Sequence, residues 1–173
     1  MYPEIKTERL VLRPLDISDL ESMHEYASDQ ENTMYMCHLP RTIEETAEFL
    51  SSVTKEWRKD MPRFYEFAIE LDGILIGSIS VYLSDNHDSG DLGWIINKKY
   101  WHNGYATEAA MALKDFVLNI LQVKRLTANC DYRNMASSRV MEKIGLKLES
   151  DNGVRVYRKK NETARELTYL LIV

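Results

Sequence analysis

The stretch Asp91–Glu108, DLGWIINKKYWHNGYATE, constrains this chain more than any other. Leu92–Ile96 is a short apolar strand with two β-formers at its end, and a polar turn, Asn97–Asn103, carries the chain into a helix at Gly104. Ala109, Ala112, Leu113, Phe116, Val117 and Ile120 recur at the spacing of one buried helical face. A strand that runs through a glycine-containing turn into a helix N-terminus is a device for holding an anion. The first helical N–H groups have no internal partner, and the helix dipole adds partial positive charge at that end. Gly104 has no Cβ to hold a phosphate away from the backbone, and Ala106 is the next smallest choice. The stretch predicts a pyrophosphate cradle, although strand-to-helix turns that bind nothing use the same residue types. It is not a Walker loop, because no Lys-Ser/Thr pair follows, nor a dinucleotide fingerprint, which needs three glycines.

The rest of the chain bounds the setting. Its 173 residues suit one domain with a substantial core, and 45% apolar with 28% charged residues is ordinary for a globular protein. A net charge of −5 argues against nucleic acid as a partner, since that needs a basic face, and is compatible with a cationic substrate such as an amine. Cys37 and Cys130 are the only cysteines, so no disulfide framework is expected and a reducing cytoplasm is the natural compartment. The N-terminus carries charges where a signal peptide needs an apolar core, and no apolar run reaches membrane-spanning length, so no membrane partner is expected.

Taken in order, Thr7–Leu15 alternates and ends at Pro14, which suits an edge strand. Ser18 and Glu21 form a capping box for a short helix to about Ser28, and Thr42 and Glu45 form another for an amphipathic helix to about Lys59. Between them Gln30–Arg41 has no period; its run of Met34, Tyr35 and Met36 suits a substrate entrance or a packed connection. Ile43, Ala47, Leu50, Val53 and Trp57 mark the buried face of the second helix. Phe64–Leu71 and Ile74–Ser84, joined by Asp72-Gly73, read as a hairpin. After the central helix, Arg125–Tyr132 reads as a strand parallel to the first, reached by a right-handed crossover. Asn134–Ile144 is a helix stopped by Gly145, and Lys147–Arg158 and Arg165–Val173 are the last strands. Without repeats or a linker, residues 1–173 are expected to form one α/β (α+β) domain. Its sheet is mixed and mostly antiparallel, of about seven strands with a central parallel pair, flanked by about four helices.

The final helix supplies a second element. Asn134, Ser137 and Met141 share one face, and if the parallel strands are neighbours both following helices start at the same end of the sheet. Asn134 and Ser137 then flank the crevice leading from the cradle, where they suit the amides of an extended ligand; an N-cap and a first-turn serine use the same residues. The strings TERLVLRPL, PRTIEETAEFL, GWIINKKYWHNGYATEA and NMASSRVMEKIGL, in that order, resemble the GNAT superfamily of N-acetyltransferases, most closely its RimJ/RimL-like branch. The resemblance runs from Thr7 almost to the end. It implies acetyl-CoA as donor, a primary amine as acceptor, no metal, a monomer or homodimer, and a sheet splayed between the parallel strands to admit the pantetheine arm.

The resemblance also implies residue roles. The family's phosphate motif maps onto Trp101–Ala106, with Trp101 where the family has Arg or Gln; backbone N–H groups of His102, Asn103, Gly104, Tyr105, Ala106 and Thr107 then hold the pyrophosphate. Trp94, Ile95 and Ile96 pair their backbone with pantetheine and the acetyl carbonyl, a bulge splays this strand, and the Ile95 region supplies an oxyanion donor. Asn134, Ser137 and Lys143 complete the cofactor contacts. Met141 stands where many members have a tyrosine that protonates the leaving thiolate, so Ser137 is the candidate acid, with water as the alternative. Asp91 is the candidate base, acting through water, with Glu66 as a second choice. Attack by a neutral amine in a ternary complex is expected, because Cys130 has no evident base beside it. Met141 also motivates the alternative of a weakly catalytic acetyl-CoA-binding protein acting as sensor or assembly partner.

Overall fold

Backbone dihedrals at one turn set the middle of the sheet. Asp72 and Gly73 both take left-handed φ, 50° and 81°, which gives a two-residue connection the twist its flanking strands need. They join strands Phe64–Leu71 and Ile74–Leu83, with Leu71 opposite Ile74. The computed structural model describes residues 3–37 and 41–173; His38, Leu39 and Pro40, in the loop expected between the first helices, lie outside the described residues. In chain order the strands are β1 (Ile5–Lys6), β2 (Leu10–Pro14), β3 (Phe64–Leu71), β4 (Ile74–Leu83), β5 (Ser89–Ile96), β6 (Arg125–Asp131), β7 (Lys147–Tyr157) and β8 (Glu162–Ile172). The helices are α1 (Leu20–Ala27), α2 (Ile43–Trp57), α3 (Tyr105–Asn119) and α4 (Met135–Lys143).

The strands form one sheet in the order β1-β2-β3-β4-β5-β6-β8-β7, and only β5 and β6 are parallel. The described strands number eight rather than seven, because Ile5–Lys6 pairs with Val11 and Leu12. That short strand displaces β2 from the edge it was expected to occupy. A second correction concerns α1. The capping box belongs to Asp16 and to the 3-10 turn Ile17–Asp19 that leads into α1, not to Ser18. Asp16 accepts from the Ser18 N–H at 2.7 Å, and its own N–H donates to Asp19, the N-cap of α1, at 3.0 Å. Arg13 explains the shift, because its guanidinium donates twice to Asp19, at 2.9 and 2.8 Å, and holds that carboxylate at the start of the turn. At α2 both halves of the Thr42–Glu45 box are present, while Ile43 is exposed and the helix ends at Trp57, before Lys59. The Trp57 ring meets Phe67 edge-on at 5.1 Å, and its N–H donates to the Glu66 carbonyl.

Helix α3 buries Ala109, Ala110, Leu113 and Val117 against the sheet. Ile120 departs from the expected stripe and is exposed, because the helix closes at Asn119 and Ile120 is its C-cap. Strand β5 starts at Ser89, three residues earlier than its apolar run, since the turn between β4 and β5 is shortened by Ser84, whose N–H donates to the Ser89 carbonyl at 2.9 Å.

The feature that positions the site is the end of the parallel ladder. β5 and β6 pair only from Ser89–Leu92 to Arg125–Ala128. Beyond that point β5 continues beside β4 to Ile96, and β6 continues beside β8 to Asp131. The two strands part and leave a V-shaped gap. The expected bulge is not what opens it: the β4–β5 register runs unbroken from Gly77↔Ile96 to Leu83↔Gly90. The gap opens because each strand keeps a different outer neighbour.

Candidate active site

The turn entering α3 is locked by side chains. Asn97 is buried and accepts from the Lys99 N–H at 3.1 Å, and Asn103 donates to the carbonyls of Tyr100 and Trp101 at 3.1 and 2.9 Å. The Trp101 indole N–H donates to the Ile96 carbonyl at 2.7 Å, so this residue closes the turn where an Arg or Gln was expected. His102 and Gly104 take left-handed φ of 64° and 80°. Gly104 is the N-cap and offers no side chain, and among the described residues the N–H groups of Tyr105, Ala106 and Thr107 meet no protein acceptor. Helix α4 differs, because its Asn134 caps the Ser137 N–H at 3.2 Å. The α3 N-terminus thus presents unpaired donors and partial positive charge, which fits a pyrophosphate.

Beside it lies the free edge of β5. Asn97 N–H donates to the Ile76 carbonyl at 2.8 Å, while the Ile96 carbonyl accepts from Trp101 and from the Asn32 amide on the other side. Antiparallel ladders alternate, so Ile95 turns its N–H and C=O toward β4, and Trp94 and Ile96 turn theirs toward the gap. Within the Ile95 region the donors that face the gap are therefore the N–H groups of Trp94 and Ile96. Those groups, open to an extended ligand, fit the amides of a pantetheine arm.

The gap leads into a cleft of about 320 Å³. Asp91, Trp94, Ile95, Asn134, Ser137 and Met141 all line it, so the structure brings together the residues drawn from the two separate motifs. Met141 is buried and Ser137 half-buried one turn before it. The cleft wall does not include the cradle residues His102 to Thr107, or Lys143, which stands exposed at the C-terminal end of α4.

Across the cleft, one face of the sheet is polar. In register, Glu66 lies opposite Ser80, which lies opposite Gly93; Tyr82 lies opposite Asp91, which lies opposite Thr127. Gly93 lets the Ser80 hydroxyl lie close to β5, since an added Cβ would crowd that oxygen at 3.2 Å. Asp91 accepts from Thr127 at 2.8 Å and Asn129 at 2.9 Å; surrounding protein raises its pKa, although the carboxylate at the cleft mouth keeps contact with water. Glu66 is 6% exposed, and burial pushes it up to about 7, against the pull of Ser78, Arg41, Ser80 and Tyr82. A carboxyl poised near neutrality suits a general base, which moves Glu66 ahead of Asp91. Burial pushes the Cys130 thiol up to about 11, so it is not a thiolate nucleophile at neutral pH.

Several lining residues are not singled out by the sequence reasoning: Tyr26, Arg41, Ser78, Ser80 and Arg155. Ser78 and Ser80 did leave a signal, two hydroxyls two apart in an otherwise apolar strand, which places both on one face. Arg41 ends the Gln30–Arg41 segment read as a substrate entrance or packed connection, whose Tyr35 and Met36 also line the cleft, whereas Arg155 on an edge strand left no signal.

Comparison with known proteins places this geometry. A family model described as "Acetyltransferase (GNAT) domain" matches residues 9–147. The uncharacterized N-acetyltransferase YnaD of Bacillus subtilis is 30% identical over 145 residues, covering 84% of this chain and 83% of that protein. The crystal structure of a GNAT-family acetyltransferase from Bacillus anthracis superposes with a TM-score of 0.85 at 32% identity, over 98% of each chain. RimL, a ribosomal L7/L12 α-N-protein acetyltransferase in complex with coenzyme A, shares the fold at TM-score 0.87 and 17% identity, over 99% of this chain and 98% of its own.

Proposed function

The chain belongs to the GNAT acetyltransferase family, and from that premise we propose that it transfers an acetyl group from acetyl-CoA to a primary amine by direct attack in a ternary complex. The observation that carries this reading is the meeting on one cleft of the unpaired edge of β5 and a buried carboxyl held near neutrality, with the uncapped N-terminus of α3 following β5 directly in the chain. Bound at this place, acetyl-CoA supplies an activated acyl carbon.

The remaining work falls to the chain. Tyr105, Ala106 and Thr107 hold the pyrophosphate through their N–H groups, helped by His102, Asn103 and Gly104 in the turn. Trp94 and Ile96 hold the arm and give N–H groups to the acyl oxygen, a contribution of up to about 3–4 kcal/mol for such donors. Glu66 takes the proton of the incoming ammonium, with the Ser80 hydroxyl between it and Gly93; Asp91 draws the cation to the mouth. Ser137 gives a proton to the departing sulfur, since Met141 has none to give. The fold of RimL and the order of motifs support a place in the RimJ/RimL-like branch, with residues 1–173 as one catalytic domain.

The test is release of free coenzyme A from acetyl-CoA over a panel of small amines, polyamines and peptide N-termini, with the acetylated product weighed by mass spectrometry. Thiol release dependent on an added amine is the expected result. Tight coenzyme A binding with no transfer to any amine would favour instead the sensor or assembly role that Met141 suggests.

A further inference from the structure

Three polar groups in the cleft are shut off from water and have no hydrogen-bond partner among the described residues: Arg41 Nη1, Arg155 Nε and the Tyr26 hydroxyl. Buried polar groups are nearly always satisfied, so three orphans in one cavity mark positions for ligand atoms. The two arginines differ in charge balance. Arg155 already donates to the Glu166 carboxylate at 2.8 Å and to the Tyr35 carbonyl at 3.1 Å. Arg41 lies over the Phe49 ring at 4.0 Å, and among the described residues its guanidinium makes neither an ion pair nor a hydrogen bond. Its principal carboxyl neighbour is Glu66, which is largely desolvated and carries only part of a negative charge at neutral pH. Glu45 is a second carboxyl within electrostatic reach, but neither it nor Glu66 makes an ion pair with Arg41 among the described residues. A half-buried cation without such a contact is costly to hold, and a guanidinium fork matches carboxylate or phosphate oxygens.

We propose that Arg41, with the Tyr26 hydroxyl beside it, binds an acid group on the acceptor, so that the substrate is a small amine that also bears a carboxylate or phosphate. The inference rests on the acetyl-transfer reading and narrows it. The cleft has charge of both signs in the right places: Asp91 stands on β5 by the gap, where the amine reacts, and Arg41 stands toward the β3–β4 side. Strands lie about 4.8 Å apart, so the two ends of the acceptor are separated by up to about 10 Å across β3 to β5. A cavity of about 320 Å³, shared with the end of the pantetheine arm, leaves room for a molecule of amino-acid size. A polyamine has no group for Arg41 and sets a second cation against it.

The experiment pairs acids with their uncharged counterparts: γ-aminobutyrate with its amide, alanine with alaninamide, and phosphoethanolamine with ethanolamine, alongside spermidine. In the wild type, kcat/KM is expected to favour at least one acid over its counterpart by more than about tenfold, and that ratio should fall at least about tenfold in Arg41→Gln. Whether carboxylate or phosphate pairs show the preference identifies the source of the acid. The same pairs are titrated by calorimetry into protein saturated with coenzyme A, which needs no turnover. Acid-selective binding lost in Arg41→Gln supports the assignment even if no amine is acetylated, an outcome that defeats only the transfer reading. Preference for spermidine or the uncharged amines, or an acid-to-neutral ratio that Arg41→Gln leaves intact in both assays, overturns it. Coenzyme A affinity of the variant confirms that it is folded.

Discussion

Replacing Glu66 with glutamine tests the base and its environment in one protein. The carboxyl is 6% exposed, and its pKa is raised from 4.5 to about 7 by burial. A native pKa above the unfolded one means that the folded protein holds the proton where the unfolded chain has lost it. The stability this contributes is fully present below about pH 4.5 and declines as pH rises toward 7, by about 1.4 kcal/mol per pH unit. Over that window the loss amounts to about 3 kcal/mol, and above pH 7 the wild type carries a charge its surroundings resist. Glutamine keeps the shape and polarity without the proton. Glu66→Gln should therefore be insensitive to this titration and should exceed the wild type in stability at pH 8, by up to about 3 kcal/mol. Urea midpoints at pH 5, 6, 7 and 8 measure the difference directly. In the acetyl-transfer assay the same change should lower kcat by about 10²–10⁴ and remove the rate increase near pH 7. Parallel stability curves for the two proteins would show that the carboxyl titrates normally and would remove the physical basis for its role. Diverging curves with normal turnover would pass the base to Asp91 or to water.

Other perturbations address the remaining parts of the site. Gly104→Asp sets a carboxylate at the uncapped helix end and should weaken coenzyme A binding by more than about tenfold in calorimetry, while Arg9 nearby is already committed to Glu108 at 2.6 Å. Unchanged affinity in a folded variant would remove the cradle from the mechanism. Ser137→Ala should lower kcat more than it raises KM for acetyl-CoA, and adding Met141→Tyr, but not Met141→Phe, should recover part of the loss. Equal behaviour of the Tyr and Phe variants would mean that Met141 does not face the leaving group. Gly77→Ala would bring a Cβ to 2.3 Å from the Ile95 carbonyl oxygen, so β4 and β5 must part. A cost of at least about 1–3 kcal/mol is expected, read as a lowered Tm, and an unaltered Tm would contradict the close strand approach.

Much of the fold was legible in the chain because its signals are local. The Asp72-Gly73 turn, the Thr42–Glu45 box and the Gly104 entry to α3 each depend on dihedrals and hydrogen bonds within about four residues. The strand-helix-strand order then required a parallel pair, and with it the meeting of Asn134, Ser137 and β5 on one cleft. Where a distant partner intervened, local signals misled: Arg13 on β2 holds Asp19, so that the capping box forms at Asp16 on the turn before α1 rather than at Ser18, and β1 took the sheet edge from β2.

The site's electrostatics belong to the tertiary structure alone. Glu66 reads in the sequence as one polar residue in an apolar strand. Its pKa is raised by burial in the folded sheet, against the pull of Arg41, which reaches it from 25 residues away in the chain. Backbone form follows from near neighbours along the chain, whereas desolvation and charge pairing depend on which remote segments pack together, and only the assembled sheet decides that.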